Sequence, residues 1–222
     1  MYSCAMGKVK VLHENIHFAP PPFQVRRLSI QGRRVLNYMS KLSNNIKFTF
    51  YGVEHGKNLC VHGHVGLRMA RGSRVIIGGS FYYSSGQHIN PLSCNKQGNI
   101  TVNEGAKVLI GDHVGMSGTV IWCHQNITIG NNVQIGAEAV LLDSDCHSLN
   151  FRERRCLQND MLHKKNAPIV IGHDVLIGMN SIILKGVTIG DRSIIGAGSV
   201  VTTNIPADCI AAGNPCKVIK RL

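Results

Sequence analysis

The segment Leu142-Asp143-Ser144-Asp145-Cys146-His147-Ser148-Leu149-Asn150 gathers an imidazole, two carboxylates and a thiol, and Arg154 and Arg155 follow it. An imidazole titrates near pH 6.5 in general, so at neutral pH it can take a proton from a hydroxyl and return it to a leaving group. That chemistry singles out His147 as a general base. Such a base needs its tautomer fixed, and Asp145, Asp143 or a backbone carbonyl could fix it. A second pair, His62 and His64, alternates along the chain and would share one face of a strand, as half of a metal site would. No comparable ligand set with supporting acids accompanies the pair, so no metal is expected.

The elements that must hold His147 announce themselves by repetition. From Ile171 to Pro206 the chain reads in sixes: IGHDVL, IGMNSI, ILKGVT, IGDRSI, IGAGSV, VTTNIP. The first position is Ile171, Ile177, Ile183, Ile189, Ile195 and Val201, and the fifth is small or β-branched. A helix repeats its apolar residues at three and four, a simple strand at two. Period six fits a short strand and a tight turn recurring on three sides of a prism, with the first and fifth positions inside and glycine easing the corners. The signature returns at Ile110-Gly111, Ile129-Gly130 and Ile135-Gly136, with a one-residue slip between Met116 and Ile129. The expected fold is therefore all-β, a parallel β-helix over residues 48–206. Two aperiodic stretches, 82–99 and 148–167, read as inserted loops, a common place for function. His147 stands where the second begins.

Residues 1–47 form a separate N-terminal segment. Pro20-Pro21-Pro22 marks a turn or linker. A short basic helix is expected over Val25 to Leu42, capping the first coil or lying on a membrane surface through Arg26, Arg27, Arg33, Arg34 and Lys41. Residues 207–222 read as a C-terminal tail.

Composition narrows the class. The 222 residues suit one domain, and 44% apolar residues with 5% aromatics and 24 glycines suit a thin, repetitive β architecture. A formal charge of +12 favours anionic partners. No stacking-platform pattern supports nucleic acid. The eight cysteines form no Cys-x-x-Cys pair and no signal peptide or spanning run is visible, so reduced thiols in the cytoplasm are expected.

The period-six block resembles the hexapeptide-repeat acyltransferases, whose coils wind left-handedly. The segment around His147 with the following arginines is similar to a loop of their sugar and xenobiotic O-acetyltransferases. GAGSVVTTNIPADCIAAGNPCKVI, residues 196–219, resembles their closing coil and coenzyme A-binding tail. The resemblance implies acetyl-coenzyme A as co-substrate and His147 as base, with direct transfer that leaves Cys146 a structural role. It places Gly178 and Met179 at the thioester, Ala197 at the pantetheine, Thr202 and Thr203 near the nucleotide, and Lys217 and Lys220 at the phosphates. Met179 replaces a usually small residue and Thr203 a usual Lys, so main-chain contacts are better supported there than side-chain ones. Ser117 and Trp122, one coil before His147, could line the acceptor pocket, although Trp122 reads equally as core. The resemblance further implies a homotrimer with the co-substrate between neighbours. The acceptor is then a small molecule or glycan, with O-acetylation of a sugar hydroxyl as the leading activity. N-acylation of an amino sugar nucleotide and a non-catalytic scaffold are the alternatives.

Overall fold

The computed structural model describes residues 23–222 with the exception of residue 88. Cys4 and the Pro20–Pro22 turn therefore lie outside the described residues. Among the described residues, short strands stack into three walls of six, eight and six strands, each bonded to its equivalent one coil away. The first wall includes Asn126–Ile129 and Ile169–Ile171, the second Gln134–Ile135 and Leu176–Ile177, the third Val140–Leu142 and Ile182–Leu184. The pairings within the walls are parallel up to the last strand.

The periodic residues do what the spacing requires. Ile171, Ile177, Ile183, Ile189, Ile195 and Val201 are all buried, and columns such as Ile135, Ile177 and Ile195 run in register through the core. The fifth-position serines are buried too, which an unbonded hydroxyl would make costly. Each finds a carbonyl: Ser181 and Ser199 donate to Gly196, at 3.1 and 2.6 Å, and Ser193 donates to Pro206 at 2.7 Å.

The role of the second-position glycines differs from expectation. Gly172, Gly178, Gly190 and Gly196 do not take positive φ; the left-handed corner position is held by His113, Asn132, Asp174, Asn180 and Arg192 as well as by Gly118, Gly186 and Gly198. The glycines answer to proximity instead. A Cβ on Gly130 would stand 2.6 Å from the Gly172 carbonyl oxygen, and one on Gly178 would collide with the Ala197 amide. Asn and Asp tolerate the left-handed region and share it with glycine, whereas the second position, where coils touch backbone to backbone, admits glycine for its size.

Three boundaries move. The stretch 82–99 is not wholly a loop, because Tyr82–Ser85 is a second-wall strand. Its inward positions carry Tyr83 and Ser85, which hid the period. Tyr83 is buried between Val61 and Met116 in register, its hydroxyl donating to the Thr119 carbonyl. The tail 207–222 is ordered as Cys209–Ala212, parallel to the second wall, and Lys217–Arg221, antiparallel to it. The helix α1 is 28 residues long, Phe23–Phe50, and crosses the boundary placed at residue 47.

Compact units divide inside α1, at Val35 and Leu36. Within the unit 36–222, α1 buries Phe48 in the core and covers the open edge of the first coil with polar side chains. Asn44 donates to the carbonyls of Val61 and Gly63, at 3.1 and 2.8 Å, Lys47 donates to Val65 at 2.7 Å, and Gly63 N–H donates to Ser40 Oγ at 3.1 Å. Partial burial pulls the Lys47 pKa down. These bonds occupy sheet-edge groups that would otherwise invite another chain. They also explain why the helix outlasts the apolar period ending at Leu42, since tertiary bonds override weak local propensity.

Two substitutions separate the roles of the corners. Gly130→Ala should destabilise by about 2 kcal/mol or more, because backbone must move. His113→Gly, at φ 57°, should stay within about 1 kcal/mol of the parent or exceed it. Urea unfolding midpoints with unchanged slopes would check both.

Candidate active site

His147 lies on a long excursion between the third-wall strand Val140–Leu142 and the first-wall strand Ile169–Ile171. The excursion is stitched at its base: Asp145 N–H donates to Lys165 at 2.9 Å, Ala167 N–H to Asp143 at 3.0 Å, and Ser144 bridges Asn166. A 3₁₀ turn, Glu153–Arg155, and a short helix α2, Leu157–His163, fill its far end. Cys146 adopts φ 62°, a left-handed turn that sets the direction of the chain at His147.

α2 brings a carboxylate that the spacing did not indicate. Asp160 Oδ2 lies 2.7 Å from His147 Nδ1, and Asp160 Oδ1 accepts Ser148 N–H at 2.7 Å. Asp160 is buried, whereas the imidazole is 64% exposed. Because a carboxylate accepts, the neutral ring carries its proton on Nδ1, which leaves Nε2 with a free lone pair on an exposed side chain. The hydrogen bond from His147, then that from Ser148, holds the Asp160 carboxyl below its ordinary range. The turn is closed by Arg154, donating to the Ser148 carbonyl at 2.6 Å, and by Ser148 Oγ bonding Glu153.

Neither of the expected partners orients the ring. Asp145 pairs with Lys185 at 3.1 Å. Asp143 is fully buried and receives the N–H groups of His124, Gln125 and Asn126, at 2.6, 2.8 and 2.9 Å. It ties down the corner of the preceding coil, and burial together with its charge pushes the Cys123 thiol up. Asp160 escaped notice because it sits 13 residues beyond His147, in a stretch without period. Only the folding of α2 makes the two neighbours.

A second brace ties the excursion to the coil below. Lys164 Nζ reaches His124 Nδ1 at 3.1 Å, and Asn103 bonds the same nitrogen at 2.8 Å. Burial, then the Lys164 charge, lowers the His124 pKa, keeping that ring a neutral acceptor. Trp122 lies against it, ring centroids 5.0 Å apart, and donates to Asn103 at 3.2 Å. Trp122 is on the outer face of the third wall and 42% exposed, so it is not core. Ser117 belongs to the second wall, where with Tyr82, Asn90 and Gln134 it lines a cavity of about 290 Å³. Within one chain the two proposed acceptor residues thus occupy different walls. The loop beside that cavity is pinned by buried Glu138, which accepts the N–H groups of Asn95 and Lys96 at 2.6 and 3.1 Å. Those bonds, Asn95 first, hold its carboxyl low.

The expected cofactor residues divide into two groups. Gly178, Met179 and Ala197 come together at one corner column, where Gly198 N–H donates to Met179 at 2.8 Å. Within the described residues, the N–H groups of Met179 and Ala197 donate to no carbonyl, and Ala197 is exposed. Thr202 and Thr203 are exposed at a different corner, after Val200–Val201. Lys217 and Lys220 are exposed on the last strand. Among the described residues no group of three or more potential metal ligands is found.

Residues 168–203 match the family described as bacterial transferase hexapeptide (six repeats). The galactoside O-acetyltransferase of Escherichia coli (strain K12) is 45% identical over 96 residues, covering 43% of this chain and 44% of that protein. The chain spans about half the length of the curated relatives it matches. The crystal structure of a polySia-specific acetyltransferase superposes with TM-score 0.51 at 27% identity, covering 76% of this chain and 75% of that one. A hexapeptide-repeat acetyltransferase from Vibrio cholerae O1 biovar eltor, complexed with acetyl-coenzyme A, shares the fold, with TM-score 0.54, 24% identity and 93% coverage of both chains.

Two tests address the carboxylates. Asp160 has a folded pKa below its unfolded value near 3.9, so its bonds stabilise the protein above about pH 4 and are lost as pH falls through the folded value. Asp160→Asn should therefore make the acid limb of the stability–pH curve shallower than in the parent. Asp143→Ala should cost about 3 kcal/mol or more in urea unfolding, because it strands buried N–H groups.

Proposed function

We propose that the chain is a left-handed hexapeptide-repeat acetyltransferase and that it transfers acetyl groups from acetyl-coenzyme A to a hydroxyl of a sugar in a glycan or polysaccharide precursor. The observation that carries this reading is the His147–Asp160 pair: a buried carboxylate fixes one ring nitrogen and leaves the other bare on an exposed imidazole.

The residues present suit the co-substrate. The N–H groups of Met179 and Ala197, which donate to no carbonyl among the described residues, lie at a corner where Ala197 is exposed and Met179 is half-buried. Such N–H groups suit the amide carbonyls of a pantetheine arm and the oxygen of a thioester. Exposed Lys217 and Lys220 suit phosphates as point charges. Bound there, acetyl-coenzyme A supplies the activated carbonyl. His147 Nε2 takes the proton of the acceptor hydroxyl as its oxygen bonds to that carbonyl, and Asp160 stabilises the resulting imidazolium. The same nitrogen then gives its proton to the departing thiolate, which restores the neutral ring.

Assembly as a homotrimer belongs to the same reading. Leu149, Leu157 and Leu162, on the His147 excursion, are 73–75% exposed, a concentration of apolar surface suited to another copy's wall. A cytoplasmic site accords with the free thiols found among the described cysteines.

Thiol release from acetyl-coenzyme A in the presence of a panel of sugars tests the proposal. His147→Ala should lower kcat by about 10²- to 10⁴-fold, while coenzyme A still raises the unfolding midpoint of parent and variant alike. Near-parental turnover in the variant would remove His147 from the role. Absence of thermal protection in the parent would remove the co-substrate.

A further inference from the structure

The half of α1 within the unit 36–222 buries one aromatic, Phe48, but otherwise turns polar side chains inward and apolar ones outward. Ser40, Asn44 and Lys47, polar or charged, face the β-helix and bond its first coil. Tyr38, Met39, Leu42, Ile46 and Phe50 are between 47% and 85% exposed. At about 100° per residue these five fall within an arc of roughly 120°, on the side of the helix away from the bonded residues. A surface helix ordinarily shows the opposite arrangement. The polar face is accounted for, since it satisfies the sheet edge. The apolar stripe is not.

Charge selects the occupant. Besides Lys47, which is spent on the Val65 carbonyl, the sequence of α1 contains Arg26, Arg27, Arg33, Arg34 and Lys41 and no Asp or Glu, and no acid occurs from Ile16 to Val53. A helix that joins an exposed apolar stripe to unrelieved positive charge suits the headgroup region of an anionic bilayer. There the apolar side chains of the stripe enter the acyl boundary, and a segment of basic sequence is attracted to the anionic surface. No helix among the described residues is long and apolar enough to cross a membrane, so the contact is peripheral. We infer that the Tyr38–Phe50 face of α1 seats the protein on an anionic lipid surface. Packing of α1 against the α1 of a second copy would set the same run of cations against itself, with no acid to match it. The inference stands apart from acetyl transfer and does not depend on it.

The full chain should sediment with vesicles of phosphatidylcholine containing about one third phosphatidylglycerol and not with phosphatidylcholine alone. Binding should fall several-fold at about 1 M salt, where screening is nearly complete. The double variant Leu42→Glu, Ile46→Glu should reduce vesicle binding about tenfold or more. Its unfolding midpoint and its thiol-release rate with soluble acceptors should stay near parental values, because both side chains already face solvent. Failure of the parent to bind anionic vesicles overturns the inference. A smaller mass for the double variant than for the parent in light scattering would overturn it too, assigning the stripe to contacts between copies. Binding that emerges only after removal of residues 1–22 would likewise overturn it and give the stripe to that segment.

Discussion

The closest approach of successive coils, backbone against backbone at a column of glycines, is the constraint from which the rest of the structure follows. Parallel strands must lie about 4.8 Å apart to bond, and at the corners that spacing leaves no room for a Cβ on Gly130, Gly172 or Gly178. Because the corners are fixed, the aliphatic columns fall into register and the buried serines meet carbonyls in neighbouring turns. Positions on neighbouring walls are then set to within the tolerance of a hydrogen bond, which a catalytic arrangement requires.

That rigidity is used where the repeat breaks. The excursion after Leu142 leaves the prism at one corner and returns at the next, pinned by Asp143 below and by Lys164 on His124 beside it. Between these anchors the chain is free to make a left-handed turn at Cys146 and to fold α2 back over it. The result is a carboxylate in the interior of the loop and an imidazole at its rim. The pair divides the labour of a base: Asp160 holds the tautomer and Nε2 keeps the free lone pair.

Legibility in the sequence followed the same division. Ile171 to Val201 disclosed the prism because burial repeats with the coil. Tyr83 and Ser85 concealed a strand because an aromatic ring and a bonded hydroxyl filled inward places that the pattern reserved for aliphatics. His147 could be singled out by its chemistry and its place at the end of the repeat, but not its partner. Asp145 and Asp143 were nearer along the chain, yet one is taken by Lys185 and the other by three backbone N–H groups. Contacts within an aperiodic loop depend on how it folds back, and no spacing rule carries that. The same holds for α1, whose outer stripe was visible in part while the inner bonds of Asn44 and Lys47 were not.

Nitrogen NMR of the imidazoles, at a pH where the His147 ring is neutral, tests the central pair most directly. A neutral histidine free in water can carry its proton on either nitrogen, whereas a carboxylate at Nδ1 selects one form. The proton should reside on Nδ1, with Nε2 unprotonated, and Asp160→Asn should disturb that preference. A ring protonated on Nε2, or one indifferent to the loss of the Asp160 charge, would contradict the arrangement on which the proposed chemistry rests.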